Sequence, residues 1–424
     1  MTPILLDGTW RDARSTRSFQ AIDPTTRQPF GDTFPESDWS EFNDALAAAQ
    51  GAFEEMRHDG PRRLVEFLRT YADRIDAHAT ELAEIATKET ALPAGPRLLE
   101  NEIPRTTHQL REAAGSAAEG SWALPTIDTK NHLRSCLNPI GPAIVMGPAN
   151  FPFAYNAIAG GDFASAIATG CPVIAKGHPA HPNTTRKLAE LAREAVAHAG
   201  LPPAAVQLIY HCSPDVGLRA VEDPRCAAIA FTGSRPAGMA LRDAAHRGGK
   251  PAWLEMSSVN PVILLPGALN ERFEEVVDQF VASSQLAVGQ MCTNPGVVLL
   301  LEDAASKRFV NDVVERFRSA PTGVLLTEGI ETSLEKNVKK LTDTGAELAI
   351  GGQRARHGGF GFQPTLLRLT GDAFLRQPEL FQTELFGPAC LVVLARCRTT
   401  RPDRPLARRQ PHRQRLHRAQ HGRR

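Results

Sequence analysis

From Gly141 onward, short apolar runs alternate with alanine-rich stretches of helical periodicity, and this alternation restricts the possible folds more than any other feature. The runs predict four strands, and the stretches between them predict three helices. The strands are expected at 142–146, 173–176, 206–210 and 227–231, and the helices at 154–168, 182–199 and 214–221. Strands that alternate with helices in this way favour a parallel, doubly wound sheet.

A second α/β group begins near residue 255, with strands expected at 262–265 and 297–301 and helices at 271–287 and 304–318. The predicted fold class is therefore α/β, with two doubly wound domains that span residues 1–254 and 255–395. Ahead of the first sheet, apolar residues between 38 and 90 recur at helical spacing and are interrupted at Gly60-Pro61. This pattern predicts a pair of amphipathic helices.

The segment 119–139 differs from both groups because it is polar, β-leaning and bracketed by prolines. We predict that it forms a protruding β-hairpin used for oligomerisation. A plain surface excursion is the alternative that the residues leave open.

Composition excludes several classes of function. The 424 residues are 42% hydrophobic and carry a formal net charge of +1, so the chain can bury a large core and lacks the field that attracts nucleic acid or an anionic membrane. The start of the chain lacks a secretory signal, which predicts a cytoplasmic protein. The seven cysteines are scattered and form no CxxC pair, so neither a disulfide framework nor a metal site is expected.

The last residues, 396–424, are crowded with arginine, histidine and proline and are nearly free of acidic residues. Such a segment cannot build a core, and we expect it to be a disordered tail. A nucleic-acid-binding arm is one alternative. A shifted reading frame is favoured because the change of composition is abrupt and follows an intact-looking segment.

Three residues are candidates for catalysis. Cys292 lies at a helix-to-strand junction beside glycine and polar residues, where a reactive thiolate could be exposed. Glu255 ends a short apolar run, which suits a general base with a raised pKa. Asn150 lies in a strand-to-helix turn, from which its amide could donate to an oxyanion. Taken singly, each pattern also fits a purely structural role.

Two further turns could bind a cofactor. Lys176 follows a predicted strand, where open α/β sheets bind their ligands. Gly233 and Ser234 lie at a strand-to-helix turn, where free N–H groups and the helix dipole favour a phosphate. No GxGxxG fingerprint occurs in the chain. Glu384 and Phe386 precede a Gly-Pro turn that alone indicates only a loop.

Taken together, these segments resemble the aldehyde dehydrogenase superfamily over roughly residues 5–395. The GPANFPF, AKG, FTGS, GQMC and ELFGP segments and the glutamate occur in the order and near the spacing of that family. The chain is most similar to members that act on α-ketoglutaric semialdehyde (2,5-dioxopentanoate), which carry EMSS-type sequence after the glutamate and GHPAHP-like sequence after the lysine. Agreement of all the segments outweighs the structural alternatives for each one.

The resemblance implies a fold with a dinucleotide-binding domain, an oligomerisation hairpin and a catalytic domain, and it implies three catalytic roles. Cys292 would attack the aldehyde carbonyl and form a thioester after hydride transfer. Asn150, with the Cys292 backbone N–H, would stabilise the oxyanion. Glu255 would activate the water that hydrolyses the thioester, which argues against transfer to coenzyme A.

The resemblance also implies a cofactor, NADP or NAD. The residues that would contact it are Lys176 at the adenine ribose, Gly233 and Ser234 at the pyrophosphate, Glu384 and Phe386 at the nicotinamide ribose, and Pro148 in the turn before Asn150. NAD-preferring members often place a glutamate three residues after the lysine. Here that position is Pro179, which makes NADP acceptable and favours it.

A distal carboxylate on the substrate would need a cation in the substrate tunnel. Arg105 and Gln109, one turn apart on a predicted helix, are the candidates, and Phe151 and Phe153 could form the tunnel wall. An exposed helix face is the alternative for the first pair.

Members of this family continue well beyond the ELFGP segment, where this chain has its arginine-rich tail. The resemblance therefore implies an incomplete catalytic domain and puts homo-oligomerisation in doubt. An NAD(P)-dependent aldehyde dehydrogenase is the leading hypothesis. The alternative is a catalytically impaired remnant that binds NAD(P) or pairs with intact subunits.

Overall fold

The computed structural model describes residues 1–58, 60–356 and 358–396. The strands are β1 (Ile4–Leu6), β2 (Thr9–Arg11), β3 (Ser18–Asp23), β4 (Gln28–Ser37), β5 (Thr126–Asp128), β6 (Leu133–Ser135), β7 (Ala143–Met146), β8 (Val173–Lys176), β9 (Val206–Ile209), β10 (His211–Cys212), β11 (Ala228–Gly233), β12 (Ala252–Met256), β13 (Asn260–Leu264), β14 (Pro295–Leu301), β15 (Glu347–Ile350), β16 (Thr365–Thr370) and β17 (Ala389–Ala395).

The α-helices are α1 (Trp39–Met56), α2 (Pro61–Ala77), α3 (Ala79–Thr90), α4 (Ile103–Glu119), α5 (Gly161–Ala168), α6 (Pro182–Ala199), α7 (Pro214–Glu222), α8 (Arg235–Arg247), α9 (Pro266–Glu271), α10 (Phe273–Gln285), α11 (Ala304–Ser319), α12 (Glu328–Asp343), α13 (Gly371–Arg376) and α14 (Pro378–Phe381). A π-helix, Ala94–Glu102, runs directly into α4.

A seven-stranded sheet, in the order β12-β11-β7-β8-β9-β1-β2, forms the centre of the first half of the chain. The first five strands in this order, from β12 to β9, are parallel to one another. Strand β1 pairs antiparallel with β9. Every residue of β7 and β9 is buried, as expected for strands covered by helices on both faces. The predicted parallel, doubly wound sheet is therefore confirmed for this half.

Local sequence signals explain why helices cover this sheet where they do. The Asp38 side chain accepts from the backbone of α1, and Glu41 closes a capping box by accepting from the Asp38 backbone N–H. Helix α6 has proline at its first position and ends at Gly200, which adopts a left-handed conformation. The apolar faces of these helices join one large core with the sheet.

A five-stranded sheet in the order β13-β14-β17-β16-β15 forms the centre of the second half. It is parallel except for β15, and its two faces are covered by separate apolar clusters. Strand β12, which carries Glu255, belongs to the first sheet. The chain therefore changes sheet between Met256 and Asn260, a few residues after the predicted domain boundary at 255.

The segment 119–139 contains the predicted hairpin. Strands β5 and β6 pair antiparallel with each other and form a separate two-stranded sheet. Its apolar side chains Ile127 and Leu133 are 65% and 62% exposed, so the hairpin projects from the core. Its use in oligomerisation stays a prediction.

Several elements differ from the sequence-based expectation. The helix expected at 154–168 begins only at Gly161, because Asn156 and Gly160 form hydrogen-bonded turns before it. Three helices instead of two occupy 38–90, and strands β1 to β4 were not predicted. The tail from 397 to 424 lies outside the described residues.

Candidate active site

Four neighbouring parallel strands end at the same edge of the seven-stranded sheet. Their register pairs Met146 with both Lys176 and Phe231, and it pairs Thr232 with Glu255. The chain first adds strands on one side of β7 and then on the other, so the strand order reverses at β7. Ligands of open α/β sheets bind outside the carboxyl ends of strands at such a reversal.

Cys292 follows a tight backbone turn. Ala287, Val288 and Gly289 have φ angles of 48°, 59° and 67°. A β-branched residue such as Val288 rarely adopts this left-handed conformation, which costs about 1–2 kcal/mol. At Gly289 a Cβ would overlap the carbonyl group of Gly387, so the turn packs directly on the segment that carries Glu384. Backbone strain of this kind is concentrated at functional sites.

Two side chains from the start of the second sheet hold the Cys292 carbonyl group. Ser258 Oγ donates to it at 2.9 Å, and Asn260 Nδ2 donates to it at 2.8 Å. The same Asn260 nitrogen also donates to the carbonyl oxygen of Asn294 at 2.9 Å. These bonds fix the backbone of Cys292 while its side chain remains exposed.

The Cys292 thiol shares a cleft with Glu384 and Phe386. Partial burial raises the pKa of this thiol, and the carboxylates of Glu255 and Glu384 raise it further, whereas the Arg105 guanidinium lowers it. These three charged side chains therefore lie within electrostatic reach of the sulfur. The cysteine is mainly protonated at neutral pH.

Asn150 lies in the loop after β7 and is only 8% exposed. Its Nδ2 donates to the carbonyl oxygen of Gln290 at 2.8 Å, and its own carbonyl oxygen accepts from Arg97 Nη2 at 3.1 Å. A primary amide has two N–H groups, so one remains for a ligand. The structure thus brings Asn150 into contact with the loop that carries Cys292.

The two glutamates near Cys292 have different surroundings. Glu255 is exposed, and its carboxylate adds to the burial that raises the pKa of Asp162. Glu384 is half-buried and accepts from the Ser258 backbone N–H at 3.5 Å. Burial raises the pKa of Glu384, and hydrogen bonds from Ser257 and Ser258 oppose that rise. Glu255 is therefore open to water, whereas Glu384 is held in place.

Lys176 is surrounded by imidazole groups. Burial lowers its pKa, and among the described residues its ammonium group has no hydrogen-bond or ion-pair partner. The rings of His178 and His181 stack with centroids 5.5 Å apart, and burial lowers the pKa of His181 to about 4. Burial and then Lys176 lower the pKa of His211, whose Nδ1 has no partner in the described chain. This cluster offers hydrogen-bond donors to an anion.

The turn after β11 leads directly into helix α8. Ser234 caps the 13-residue helix α8, but its side chain makes no capping hydrogen bond to the helix. Gly233 ends the strand before it, and the first N–H group of α8, that of Arg235, donates to Ser257 Oγ at 3.1 Å. On the neighbouring loop the Pro148 carbonyl oxygen accepts from His181 at 3.0 Å, and Pro179 is half-buried.

Phe151 lies between two arginines. The guanidinium carbon of Arg97 is 4.5 Å from the centroid of the Phe151 ring, and that of Arg105 is 5.8 Å from it. Arg105 Nη2 donates to the hydroxyl oxygen of Tyr155 at 2.7 Å. Arg105, which also lowers the pKa of the Cys292 thiol, is thus held beside the aromatic rings of Phe151 and Tyr155.

The other two residues predicted to contact the substrate, Phe153 and Gln109, have different surroundings. Phe153 is fully buried in the core of the first sheet, so its ring has no surface to offer a substrate, and the prediction that it lines the tunnel is corrected. Gln109 faces Gly161 at the start of α5. Its Oε1 is buried and has no partner among the described residues, and its role at the substrate stays a prediction.

Sequence reasoning missed several residues that shape the site, above all Ser258, Asn260, Tyr155 and His211. Ser258 ends the EMSS segment, three residues after the glutamate, so that segment was a usable signal. Asn260 and Tyr155 act over long separations in sequence, and no local pattern marks them.

In the part of the chain that the structure describes, no group of three or more histidine, cysteine or carboxylate side chains could hold a metal ion. Within the same residues, no helix is both long enough and apolar enough to cross a membrane.

Comparisons with known proteins agree with this fold. A sequence profile of the aldehyde dehydrogenase family matches residues 10–399. The chain is 35% identical over 410 residues to α-ketoglutaric semialdehyde dehydrogenase 2 of Azospirillum brasilense, covering 94% of this chain and 77% of that protein. It is 32% identical over 394 residues to α-ketoglutaric semialdehyde dehydrogenase of Acinetobacter baylyi, covering 90% and 74%.

Among solved structures, the NAD⁺ complex of aldehyde dehydrogenase from Bacillus cereus matches with a TM-score of 0.82 at 22% identity, covering 94% of this chain and 80% of that one. A betaine aldehyde dehydrogenase double mutant from Staphylococcus aureus matches with a TM-score of 0.83 at 21% identity, covering 93% and 80%. The chain belongs to the aldehyde dehydrogenase family. It is an NAD(P)-dependent aldehyde dehydrogenase.

Proposed function

We propose that this chain oxidises an aldehyde that carries a distal carboxylate, with α-ketoglutaric semialdehyde as substrate, to the carboxylic acid. The observation that carries the proposal is the position of Arg105. Its guanidinium group lowers the pKa of the Cys292 thiol and lies near the Phe151 ring. The names of two relatives above 30% identity support the same substrate.

Arg105 suits a substrate carboxylate better than its neighbour Arg97 does. Arg97 is already engaged by Glu102 and by the Asn150 carbonyl group. Arg105 is exposed and donates to the neutral Tyr155 hydroxyl, so its charge is not neutralised by that contact. A guanidinium fixed at one end can still bind a carboxylate through its other N–H groups.

The chemistry begins with the exposed Cys292 thiol, which passes its proton to solvent water and adds through Sγ to the aldehyde carbon. Asn150 Nδ2 and the Cys292 N–H donate to the oxygen that becomes negative. A nicotinamide dinucleotide, when bound, would supply the acceptor for the hydride of the same carbon, and loss of that hydride would leave a thioester on Cys292. Glu255 then removes a proton from water, the water oxygen adds to the thioester carbon, and the thiolate leaves.

The cofactor site fits a dinucleotide. Lys176 would bind the adenine ribose, the start of α8 at Gly233 and Ser234 would receive the pyrophosphate, and Glu384 with Phe386 would contact the nicotinamide ribose. The position of this strand-to-helix turn at the carboxyl edge of the sheet supports this assignment, as does the Lys176 ammonium group, which has no partner among the described residues.

We also propose that NADP is accepted and favoured. Pro179 offers no carboxylate to repel a 2′-phosphate, and His178 and His211 lie beside Lys176 as further donors. Glu36, whose carboxylate raises the pKa of His211, forms an ion pair with Arg17 at 3.2 Å. Calorimetric titration with 2′,5′-ADP and with 5′-ADP tests this, since tighter binding of 5′-ADP would reverse the assigned preference.

The test of the main proposal follows NADPH formation with α-ketoglutaric semialdehyde and with a neutral aldehyde of equal length, beside Cys292→Ala. Arg105→Ala should raise KM for the semialdehyde about tenfold or more and leave KM for the neutral aldehyde nearly unchanged. Absence of turnover in folded wild-type protein would favour the impaired-remnant alternative. Equal KM changes for both aldehydes would remove Arg105 from substrate binding.

A further inference from the structure

We infer that Arg97 and Glu102 are positioning residues that hold Asn150 in its place beside the cysteine loop. Neither arginine nor glutamate belongs to the segments that carry the proposed chemistry. The inference rests on the proposed role of Asn150, and it extends that role to a buried ion pair on the π-helix.

The π-helix explains why these two residues meet. In an α-helix, side chains three or four positions apart face each other, whereas positions five apart do not. The segment Ala94–Glu102 is closed by hydrogen bonds between residues five apart, such as Leu98 N–H to the Pro93 carbonyl oxygen at 3.3 Å. Residues 97 and 102 are five apart, and in this wider turn their side chains form an ion pair.

The pair is almost completely enclosed. The side chain of Glu102 is 0% exposed and that of Arg97 is 15% exposed. Burial raises the pKa of the Glu102 carboxyl, and Arg97 is the main group that opposes this rise. A buried pair of this kind is costly to form and is a weak source of net stability, so its placement next to a reactive loop calls for another role.

The ion pair forms hydrogen bonds with the loop after β7 at two places. Glu102 Oε1 accepts from the backbone N–H groups of Phe153 and Ala154 at 2.8 and 3.1 Å. Arg97 donates to the carbonyl oxygen of Asn150 at 3.1 Å and lies over the Phe151 ring. The ion pair therefore ties both ends of the stretch 150–154 to one rigid helical turn.

Asn150 connects the ion pair to the loop that carries Cys292. Its backbone is held by Arg97, while its side-chain amide donates to the Gln290 carbonyl oxygen at 2.8 Å. Gln290 is in turn fixed, because its Oε1 accepts from the Leu326 N–H at 2.9 Å. An oxyanion donor must be held within a fraction of an ångström to be effective. The continuous chain Glu102–Arg97–Asn150–Gln290 provides that precision.

Arg97→Lys tests the inference without leaving a buried carboxylate unpaired. Lysine keeps the positive charge beside Glu102 but cannot donate as a planar fork to both Glu102 and the Asn150 carbonyl. We expect kcat to fall about tenfold or more, with KM for the dinucleotide and the unfolding midpoint nearly unchanged. Arg111→Lys, on the exposed face of α4, is the matched control and should leave kcat unchanged.

A double-mutant cycle separates positioning from a general structural role. In an Asn150→Ala background, Arg97→Lys should cause little further loss, because the group through which it acts is gone. The readout is the burst of p-nitrophenolate from p-nitrophenyl acetate, in which Cys292 Sγ adds to the ester carbonyl, p-nitrophenolate leaves, and water later hydrolyses the acetyl thioester. This reaction builds an oxyanion and needs no dinucleotide.

The outcomes are distinguishable. If the wild type gives neither a burst nor aldehyde turnover, the proposed function fails and the inference fails with it. If the wild type is active and Arg97→Lys matches it, only the inference is overturned. An equal fold loss from Arg97→Lys in both backgrounds would likewise overturn it, whereas a loss that occurs only when Asn150 is present supports it.

Discussion

The two loops that meet at the proposed reaction centre are built in opposite ways. The loop of Asn150 is buried, and its polar groups are bound to a neighbouring ion pair and to backbone N–H groups. The loop of Cys292 buries Gln290 but exposes the Cys292 side chain, contains consecutive left-handed residues and is held through its carbonyl groups by Ser258 and Asn260. The Asn150 loop is therefore held by burial and hydrogen bonds. The Cys292 loop is held by a strained backbone turn and by bonds to its carbonyl groups.

The difference corresponds to what each proposed role requires. An oxyanion donor must already be in place when negative charge develops, so a buried setting that fixes its backbone and leaves one amide N–H for the oxyanion suits it. A nucleophile must be reached by the substrate and lose its proton, so it has to stay accessible. Substitutions in the two loops should therefore affect catalysis, stability and thiol reactivity to different degrees.

Asn150→Ala should have the largest effect. Loss of an oxyanion donor should lower kcat by about 10²–10³-fold, while the alkylation rate of Cys292 stays close to that of the wild type. Steady-state kinetics and iodoacetamide labelling measure the two quantities. Asn138→Ala, an exposed asparagine of the hairpin, is the control and should leave kcat unchanged. A kcat near the wild-type value would contradict the role of Asn150.

Gly289→Ala tests the strained turn. The new methyl group would overlap the Gly387 carbonyl and would also occupy a positive φ, so the variant should lose about 2–3 kcal/mol in the free energy of unfolding. Gly249→Ala is a matched control, since Gly249 has φ +65° but nothing within 4 Å of the added carbon. Urea unfolding of both variants separates the two costs. Equal losses would show that close packing on Gly387 is unimportant.

The pH dependence of Cys292 reactivity should follow its neighbours. Because burial and two carboxylates raise the pKa of the thiol, its alkylation rate should keep rising with pH beyond the ordinary range of a cysteine. Glu255→Gln removes one negative charge, so the thiol pKa should fall and the profile should shift to lower pH. Ser319→Ala, far along α11, should leave the profile in place. A shift to higher pH in Glu255→Gln would contradict the electrostatic assignment.

The sequence predicted the sheet that supports both loops better than it predicted the contacts between them. Strand 173–176 and helix 182–199 were predicted with the observed bounds, because Pro182 and Gly200 mark the helix ends and the strand is a short apolar run. Local signals of this kind are complete within a few residues. They place Lys176 at the strand end without any tertiary information.

The π-helix and the carbonyl bonds around Cys292 could not be predicted in the same way. An α-helical period would have served residues 94–102 equally well, and the wider turn is supported by the contact of Arg97 with a loop 53 residues away. Asn260 reaches Cys292 across 32 residues. Phe153 was misassigned because an aromatic residue in a reactive-looking segment packs equally well in a core, and here burial prevails.

Ser258→Ala should have the smallest effect and therefore gives the sharpest view of the exposed loop. It removes one of two donors to the Cys292 carbonyl, and Asn260 continues to donate at 2.8 Å, so the unfolding free energy should fall by only about 0.5–1.5 kcal/mol. Asn260→Ala should cost more, because it leaves the Asn294 carbonyl unbonded as well. Urea unfolding with iodoacetamide labelling compares the two variants. If Ser258→Ala proved the more damaging, the hydroxyl and not the Asn260 amide would be the main support of the Cys292 carbonyl, since alanine keeps the backbone N–H through which residue 258 binds Glu384.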